Sequence, residues 1–343
     1  MGVNLKDIFE RTDITLNTLA GRIIAVDTYN MLYQFLTSIR TPDGQLLTDS
    51  KGKITSHLIG LFARTSALLE KNIKPVFVFD GKPPDLKLQE LHRRAEVKAD
   101  AAKKHAQAEA AGDIAGMKKY AARTTRLEKS MVEEAKTLIR LLGLPAVQAP
   151  SEGEAQCARL VATGKAWATA SQDYDSLLHN TTRLVQNLSL SGKRKIKGTL
   201  GSVPISPSLI DLPKNLDRLQ LTQHQLILLA LLVGTDYNPG GIHGIGPHKA
   251  LKLVKQHNTA ESLSTAVHWN DHFSHTLQEL HDLISTIPTT DDAPLTFMPI
   301  SAEELTTFLV DQHDFSHERV SKTLATLTSV VKEKSQRGLK AFM

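Results

Sequence analysis

A single cysteine in 343 residues, Cys157, excludes an intrachain disulfide. That fits a reducing, cytosolic compartment without demanding one. No apolar run approaches the ~18 residues that a membrane span needs. The start, Met1-Gly2-Val3-Asn4-Leu5-Lys6, lacks an apolar signal core, and Lys6 stands where a myristoylation site wants Ser or Thr. No His or Cys cluster has zinc-ligand spacing; the 14 histidines are scattered and read as surface or core residues. There is no internal repeat. What is present, 41% hydrophobic and 22% charged residues, describes a globular chain of two domains or one large α/β domain with insertions.

Four short apolar runs each lead to acidic residues. Ile23-Ile24-Ala25-Val26 ends at Asp27, and Pro75-Val76-Phe77-Val78-Phe79 ends at Asp80. Pro145–Ala149 leads to Glu152 and Glu154, and Ala166–Ala170 leads to Asp173 and Asp175. Such runs read as buried strands of a parallel sheet, whose ligands bind beyond the carboxyl ends. Six carboxylates crowded there repel one another, so a hard divalent cation such as Mg²⁺ is expected among them. The spacing of Asp173 and Asp175 places both on one face. Ser151-Glu152-Gly153-Glu154 also fits a capping box, with Ser151 capping a helix and Glu154 at its third position. Taken alone the cap is the better reading; the series of strand ends moves Glu154 to the metal site.

The net charge is +5. With acidic residues concentrated at one centre, the remaining surface is more basic than the total, which suits a polyanion. A soluble protein with some excess lysine explains the charge equally well by itself.

Helices are expected over Tyr29–Ile39 and Thr55–Glu70, separated by the turn Thr41-Pro42-Asp43-Gly44. From Lys87 to Leu142 the chain is helix-favouring, with a break at Ala111-Gly112-Asp113. Between Lys82 and Lys129 twelve Lys/Arg face seven Asp/Glu. This insertion leaves the sheet at Asp80 and is longer than an ordinary crossover. A β-ribbon is expected near Leu184–Leu200, turning at Ser191-Gly192-Lys193, then an apolar helix Gln223–Val233. The segment Pro239–Ala250 contains Gly244-Ile245-Gly246 and Lys249. It lacks the full dinucleotide and P-loop spacings, and reads as a helix–hairpin–helix whose backbone N–H groups grip a phosphate.

With these residues in view, the chain resembles the flap structure-specific endonucleases of the structure-specific 5′-nuclease superfamily. The matching stretches include Asp27 with Tyr33-Gln34-Phe35-Leu36, Thr55-Ser56-His57-Leu58, Phe79–Pro84, Ala149–Ala155, Ser171–Asp175, Gly234-Thr235-Asp236-Tyr237, the hairpin, and His313-Asp314-Phe315-Ser316. They span essentially the whole chain. The lack of a long basic C-terminal extension resembles archaeal members. The resemblance implies an α/β fold: a twisted, mostly parallel sheet flanked by helices, with a helical arch insertion and a C-terminal helix–hairpin–helix region. Its parts would be 1–86 and 143–222 for the nuclease core, 87–142 for the arch, 223–331 for the C-terminal helices, and 332–343 for a flexible tail.

It further implies metal-site carboxylates at Asp27, Asp80, Glu152, Glu154, Asp173, Asp175 and Asp236. Lys87 and Arg94 would act on the scissile phosphate, and Tyr33 would stack on a base. Arg40, Thr55, Arg64 and Phe315 would bind a one-nucleotide 3′ flap, with His313 standing where some relatives have Lys. Gly244, Gly246 and Lys249 would hold duplex, with a K⁺ ion at the hairpin. The tail Gln336-Arg337-Gly338-Leu339-Lys340-Ala341-Phe342-Met343 resembles the sliding-clamp box through Gln336, Leu339 and Phe342; Met343 replaces its last aromatic. The implied activity is two-metal hydrolysis at the duplex/5′-flap junction of branched and double-flap DNA, with Mn²⁺ able to replace Mg²⁺. A 5′–3′ exonuclease activity and roles in Okazaki fragment maturation and repair go with it. The implied protein is a monomer, without membrane attachment, in the cytoplasm at the nucleoid. A related gap or exonuclease specificity and a non-catalytic junction adaptor are the alternatives; an adaptor predicts lost ligands, yet all seven positions are filled.

Overall fold

A computed structural model describes residues 2–42, 44–121, 124–188, 193–195 and 202–340. Asp43, Ser191 and Gly192 of the expected turns, and Phe342 and Met343 of the tail, lie outside the described residues. The strands are β1 Thr12–Asp13, β2 Ile23–Asp27, β3 Lys74–Phe79, β4 Ala146–Gln148, β5 Ala168–Ala170, β6 Arg183–Gln186, β7 Lys193–Lys195, β8 Ser202–Pro204 and β9 Ser208–Asp211. The main sheet runs β1-β9-β6-β5-β2-β3-β4. The block β6-β5-β2-β3-β4 is parallel; β9 and β1 add an antiparallel flank.

Alternation along the strands sets the two faces. Ile24 and Val26 of β2 and Phe77 and Phe79 of β3 face one side. There they pack with Leu32 and Phe35 of helix Thr28–Ser38, Leu58 and Leu61 of helix Ser56–Glu70, and Leu138 of helix Lys129–Leu141. Ala25, Val76 and Val78 face the other side, against Cys157 and Leu160 of helix Gly153–Ala162. Full burial of each large side chain stabilises by about 1.5–3 kcal/mol. Helix Gln223–Val233 is apolar on every side, buries Leu226 through Leu232, and forms the axis of a second core with Leu177, Leu184 and Ile210.

The chain builds β2, β3 and β4 toward one edge, then returns to β5 and β6 on the other side of β2. That reversal between β2 and β5 is a topological switch point, where open α/β sheets bind ligands. After β3 the long helix Asp85–Ala110 stands beyond the sheet and doubles back into helix Ile114–Ala121. The break falls at Ala111–Asp113 as expected, with Gly112 left-handed at φ 67°. Helix Lys129–Leu141 is packed on the sheet.

The expected ribbon over Leu184–Leu200 is corrected. Leu184 belongs to β6, which joins the main sheet parallel to β5 and antiparallel to β9. The two-stranded ribbon is instead β7 with β8. Leu184 and Val185 are apolar enough to be claimed by the core rather than by a surface ribbon. Helix His317–Lys340 carries the backbone through Gln336 and Leu339 of the tail. No helix among the described residues is long and apolar enough to cross a membrane.

Candidate metal centre and its cationic roof

Register brings the strand ends together. β2 pairs Val26 with Ala170 of β5, and Asp27 with Val78 of β3; β3 pairs Phe79 with Gln148 of β4. Asp27, Asp80, the Ser151–Glu154 turn and the Ser171–Asp175 turn thus emerge from four neighbouring strands. Asp27 caps helix Thr28–Ser38, its Oδ1 accepting from the Asn30 N–H at 3.0 Å, while Oδ2 accepts from Ser171 Oγ at 3.1 Å. Asn30 Nδ2 donates to Asp173 at 2.8 Å, and its Oδ1 accepts from the Gln172 N–H at 3.2 Å. Asp80 Oδ1 accepts from the Gly153 N–H at 2.7 Å. A Cβ at Gly153 would stand 2.6 Å from that oxygen, so glycine is required for the approach. Asp175 accepts from the Val3 N–H at 2.8 Å, and a Cβ at Gly2 would collide with its carboxylate. The chain start therefore closes one side of the centre.

The open question at Ser151 is resolved by position. Helix Gly153–Ala162 begins with Glu152 as N-cap and has no side-chain capping bond; Ser151 Oγ donates to the Lys82 carbonyl at 3.1 Å. The capping box is not formed, which frees Glu154 to point into the centre. Burial, then Asp175 and Asp27, push its pKa well above the ordinary carboxylate range, making it a weaker acid.

Asp236 arrives from outside the sheet, on the loop after helix Gln223–Val233. Gly234 takes φ 114°, and Thr235 N–H and Oγ1 both donate to Asn238 Oδ1, at 3.1 and 2.8 Å. The long helix supplies the cations. Lys87, Arg94 and Lys98 recur on one helical face. Lys87 pairs with Glu152 and lies 3.2 Å from Asp236; Arg94 pairs with Asp236 and binds Glu90 at 2.7 Å. Burial works against the charge of Lys87 and Arg94, but the carboxylates outweigh it and hold both more firmly protonated. Lys98 lies 4.8 Å over the Tyr33 ring.

Among the described residues no cation is ion-paired with the strand-side carboxylates, and Lys87 lowers Asp80 and Asp175 only partly. Burial and mutual repulsion raise Asp27 and Asp175 to about 7, and Asp80 is raised by burial above all. Buried carboxylates in this condition call for added positive charge, and an all-oxygen set fits a hard ion. Among the described residues no three acidic, His or Cys side chains already converge into a coordination shell. That agrees with the contacts: donors and Lys87 hold these oxygens apart, and Mg²⁺ keeps waters and takes few direct carboxylates. The donor set thus fits a divalent ion.

The remaining expected residues lie elsewhere. Arg40 donates to the Leu36 and Gly44 carbonyls and to Thr125, at 2.9, 2.7 and 2.5 Å. Thr55 is buried at the start of helix Ser56–Glu70, which carries Arg64 half-buried; Phe315 packs edge-on against Phe62 with centroids 6.5 Å apart. His313 is buried against Phe308. Gly244 is left-handed at φ 79°, Gly246 caps helix Pro247–Gln256, and Lys249 is exposed in its first turn.

Three residues in the centre went unassigned from sequence. Asn30 had a signal, the Asp-x-x-Asn spacing of a helix start. Tyr237 was adjacent to Asp236, and its Oη donates to Glu152 Oε2 at 2.6 Å. His179, 4.0 Å from the same oxygen, had none.

Residues 1–101 match the XPG N-terminal domain and residues 143–236 the XPG I-region. The chain is 48% identical over 342 residues to flap endonuclease 1 of Pyrococcus abyssi, covering 100% of this chain and 98% of that one. It is 45% identical to flap endonuclease 1 of Staphylothermus marinus, covering 100% and 99%. The solved flap endonuclease-1 from Methanococcus jannaschii superposes with a TM-score of 0.76 at 37% identity, over 97% of this chain and 100% of that one.

Proposed function

This chain belongs to the flap endonuclease 1 family, and on that premise we propose how its centre acts. It is a structure-specific 5′ flap endonuclease of DNA replication and repair, a hydrolase of phosphodiester bonds. The observation that carries the mechanism is the pairing of a buried, mutually repelling carboxylate cluster with Lys87 and Arg94 on a helix directly above it.

Asp27, Asp80, Glu152, Glu154, Asp173, Asp175 and Asp236 hold two Mg²⁺ ions, directly or through waters. When bound, such ions polarise the phosphate and lower the pKa of water. The carboxylates position and neutralise, and attack nothing. Lys87 and Arg94 leave Glu152 and Asp236 to meet the negative phosphate, stabilising charge as the bond to the leaving oxygen lengthens. Tyr33, its ring braced by Lys98, presents a face to a base. The pair of helices beyond residue 85 admits the single-stranded flap. Arg40, Thr55, Arg64 and Phe315 take the 3′ nucleotide, and Gly244, Gly246 and Lys249 grip duplex phosphate, with K⁺ at the hairpin. Gln336, Leu339 and Phe342 engage the sliding clamp. Exonuclease activity at nicks uses the same centre.

The test is a labelled double-flap substrate with Mg²⁺, with EDTA, and with Asp175→Ala or Asp80→Ala. Cleavage is expected with Mg²⁺ and the wild type alone. Cleavage that persists without metal, or in both variants, overturns the mechanism. Nicked and gapped substrates measured beside the flap give the exonuclease share. Titrating clamp against Phe342→Ala tests the tail; unchanged affinity removes it as the contact.

A further inference from the structure

Glu152 is held from two sides by different kinds of donor. Its Oε1 meets Lys87, a cation on the long helix; its Oε2 accepts the Tyr237 phenol at 2.6 Å. Tyr237 is half-buried, and its hydroxyl is held protonated by burial and then by Glu152. Its loop is stiff: the Tyr237 N–H donates to Thr235 Oγ1 at 3.1 Å, and Asn238 Nδ2 donates to the Leu231 carbonyl at 2.6 Å. The neighbouring His179 has its side chain 8% exposed and is bonded to the Ile284 backbone, so it closes the space behind the same oxygen.

Building on the metal-centre reading, we propose that Tyr237 is a positioning residue that restricts Glu152 to one metal-facing oxygen and so favours Mg²⁺ over Ca²⁺. Two-oxygen chelation needs both carboxylate oxygens turned toward one ion. The phenol holds Oε2 away and leaves only Oε1, once the incoming ion displaces Lys87 from it. Mg²⁺ demands tight octahedral geometry and takes single carboxylate oxygens with waters. Ca²⁺ is larger and accepts two-oxygen carboxylates in a looser shell. Removing the phenol frees Oε2 for the second mode. Tyr237 thereby links the loop after helix Gln223–Val233 to a ligand on the sheet edge, 85 residues away in sequence.

The experiment is calorimetric titration of Mg²⁺ and of Ca²⁺ into the EDTA-stripped full chain: wild type, Tyr237→Phe, Glu152→Gln and the double variant. Tyr237→Phe is expected to shift the Mg²⁺/Ca²⁺ affinity ratio toward Ca²⁺ by about tenfold, the scale of one hydrogen bond to a charged acceptor. The shift should vanish in the Glu152→Gln background. Equal weakening of both ions, the outcome of a merely structural tyrosine, overturns the inference, as does a shift that survives without Glu152. No Mg²⁺ binding to the wild type overturns the metal-centre reading itself, whereas binding undiminished in Glu152→Gln overturns the inference alone. If Tyr237→Phe does not fold, infrared difference spectra of Mg²⁺-bound wild type against Glu152→Gln decide. A wide carboxylate splitting supports one-oxygen ligation by Glu152, and a narrow one overturns it.

Discussion

On one side of the centre, Glu152 and Asp236 are tied to Lys87 and Arg94. On the other, Asp27, Asp80 and Asp175 are held by Asn30, Ser171, Gly153 and Val3, all neutral donors. Among the described residues no Lys, Arg or His lies within 4.0 Å of those three or of Glu154. The chain thus supplies cations to the half beneath the long helix and leaves the strand half short of positive charge. In the proposed mechanism the first half is where substrate phosphate would exchange partners with Lys87 and Arg94. The second half is where charge must come from solution.

The largest expected effect breaks the strand half. Asp80→Asn with Asp175→Asn should slow double-flap cleavage by about a thousandfold or more, several kcal/mol of transition-state stabilisation. Gel-shift affinity for the flap should stay within a few-fold. Single-turnover cleavage within tenfold of wild type would show that the deficit of charge has no catalytic use.

Breaking the other half should cost less. Lys87→Ala is expected to lower the single-turnover rate by about 100-fold or more, as one lost oxyanion-type donor does. It should also tighten Mg²⁺ binding, because a competing cation leaves Glu152 and Asp236. Weaker Mg²⁺ binding would mean that Lys87 braces the site rather than competing for it.

A pH titration sharpens the contrast. Asp27 and Asp175 are raised to about 7 from 3.8 in the folded chain. A raised carboxylate destabilises the fold where it must ionise. The cost is fully present above about pH 7 and fades as pH falls toward the unfolded value. Metal-free protein should therefore melt at higher temperature at about pH 6 than at about pH 8. Mg²⁺ affinity should move the opposite way, falling by up to tenfold per pH unit for each proton displaced. A flat Mg²⁺ affinity across that window would show the strand half already ionised without metal.

The smallest effect expected is at the seam between strand ends. Gly153→Ala places a Cβ 2.6 Å from Asp80 Oδ1 and should weaken Mg²⁺ binding by about tenfold by displacing that carboxylate. Thermal melting beside the titration separates displacement from unfolding.

The strand ends and the parallel sheet are legible in the chain alone. Runs such as Ile23–Val26 and Val76–Phe79 have the length and apolarity of buried parallel strands, and chain connectivity fixes the residue that leaves each strand's end. Hence Asp27, Asp80 and the Asp173–Asp175 pair were legible, while Asp236, which no strand announces, came from the family resemblance. Local signals were weaker where two structures compete for one residue. Ser151-Glu152-Gly153-Glu154 taken alone favours a cap, and only the Lys82 carbonyl drawing off Ser151 removes that reading. Leu184 reads as ribbon until β9 folds back beside β6.

Tertiary structure alone decided the partners. Lys87 meets Glu152 across 65 positions, Asn30 meets Asp173 across 143, and Val3 meets Asp175 across 172. His179 closes on Glu152 only because a helix of the second core lies behind it. Periodicity reports which face of its own element a side chain takes. Which other element presses on that face, and with what charge, is set by packing between segments far apart in the chain.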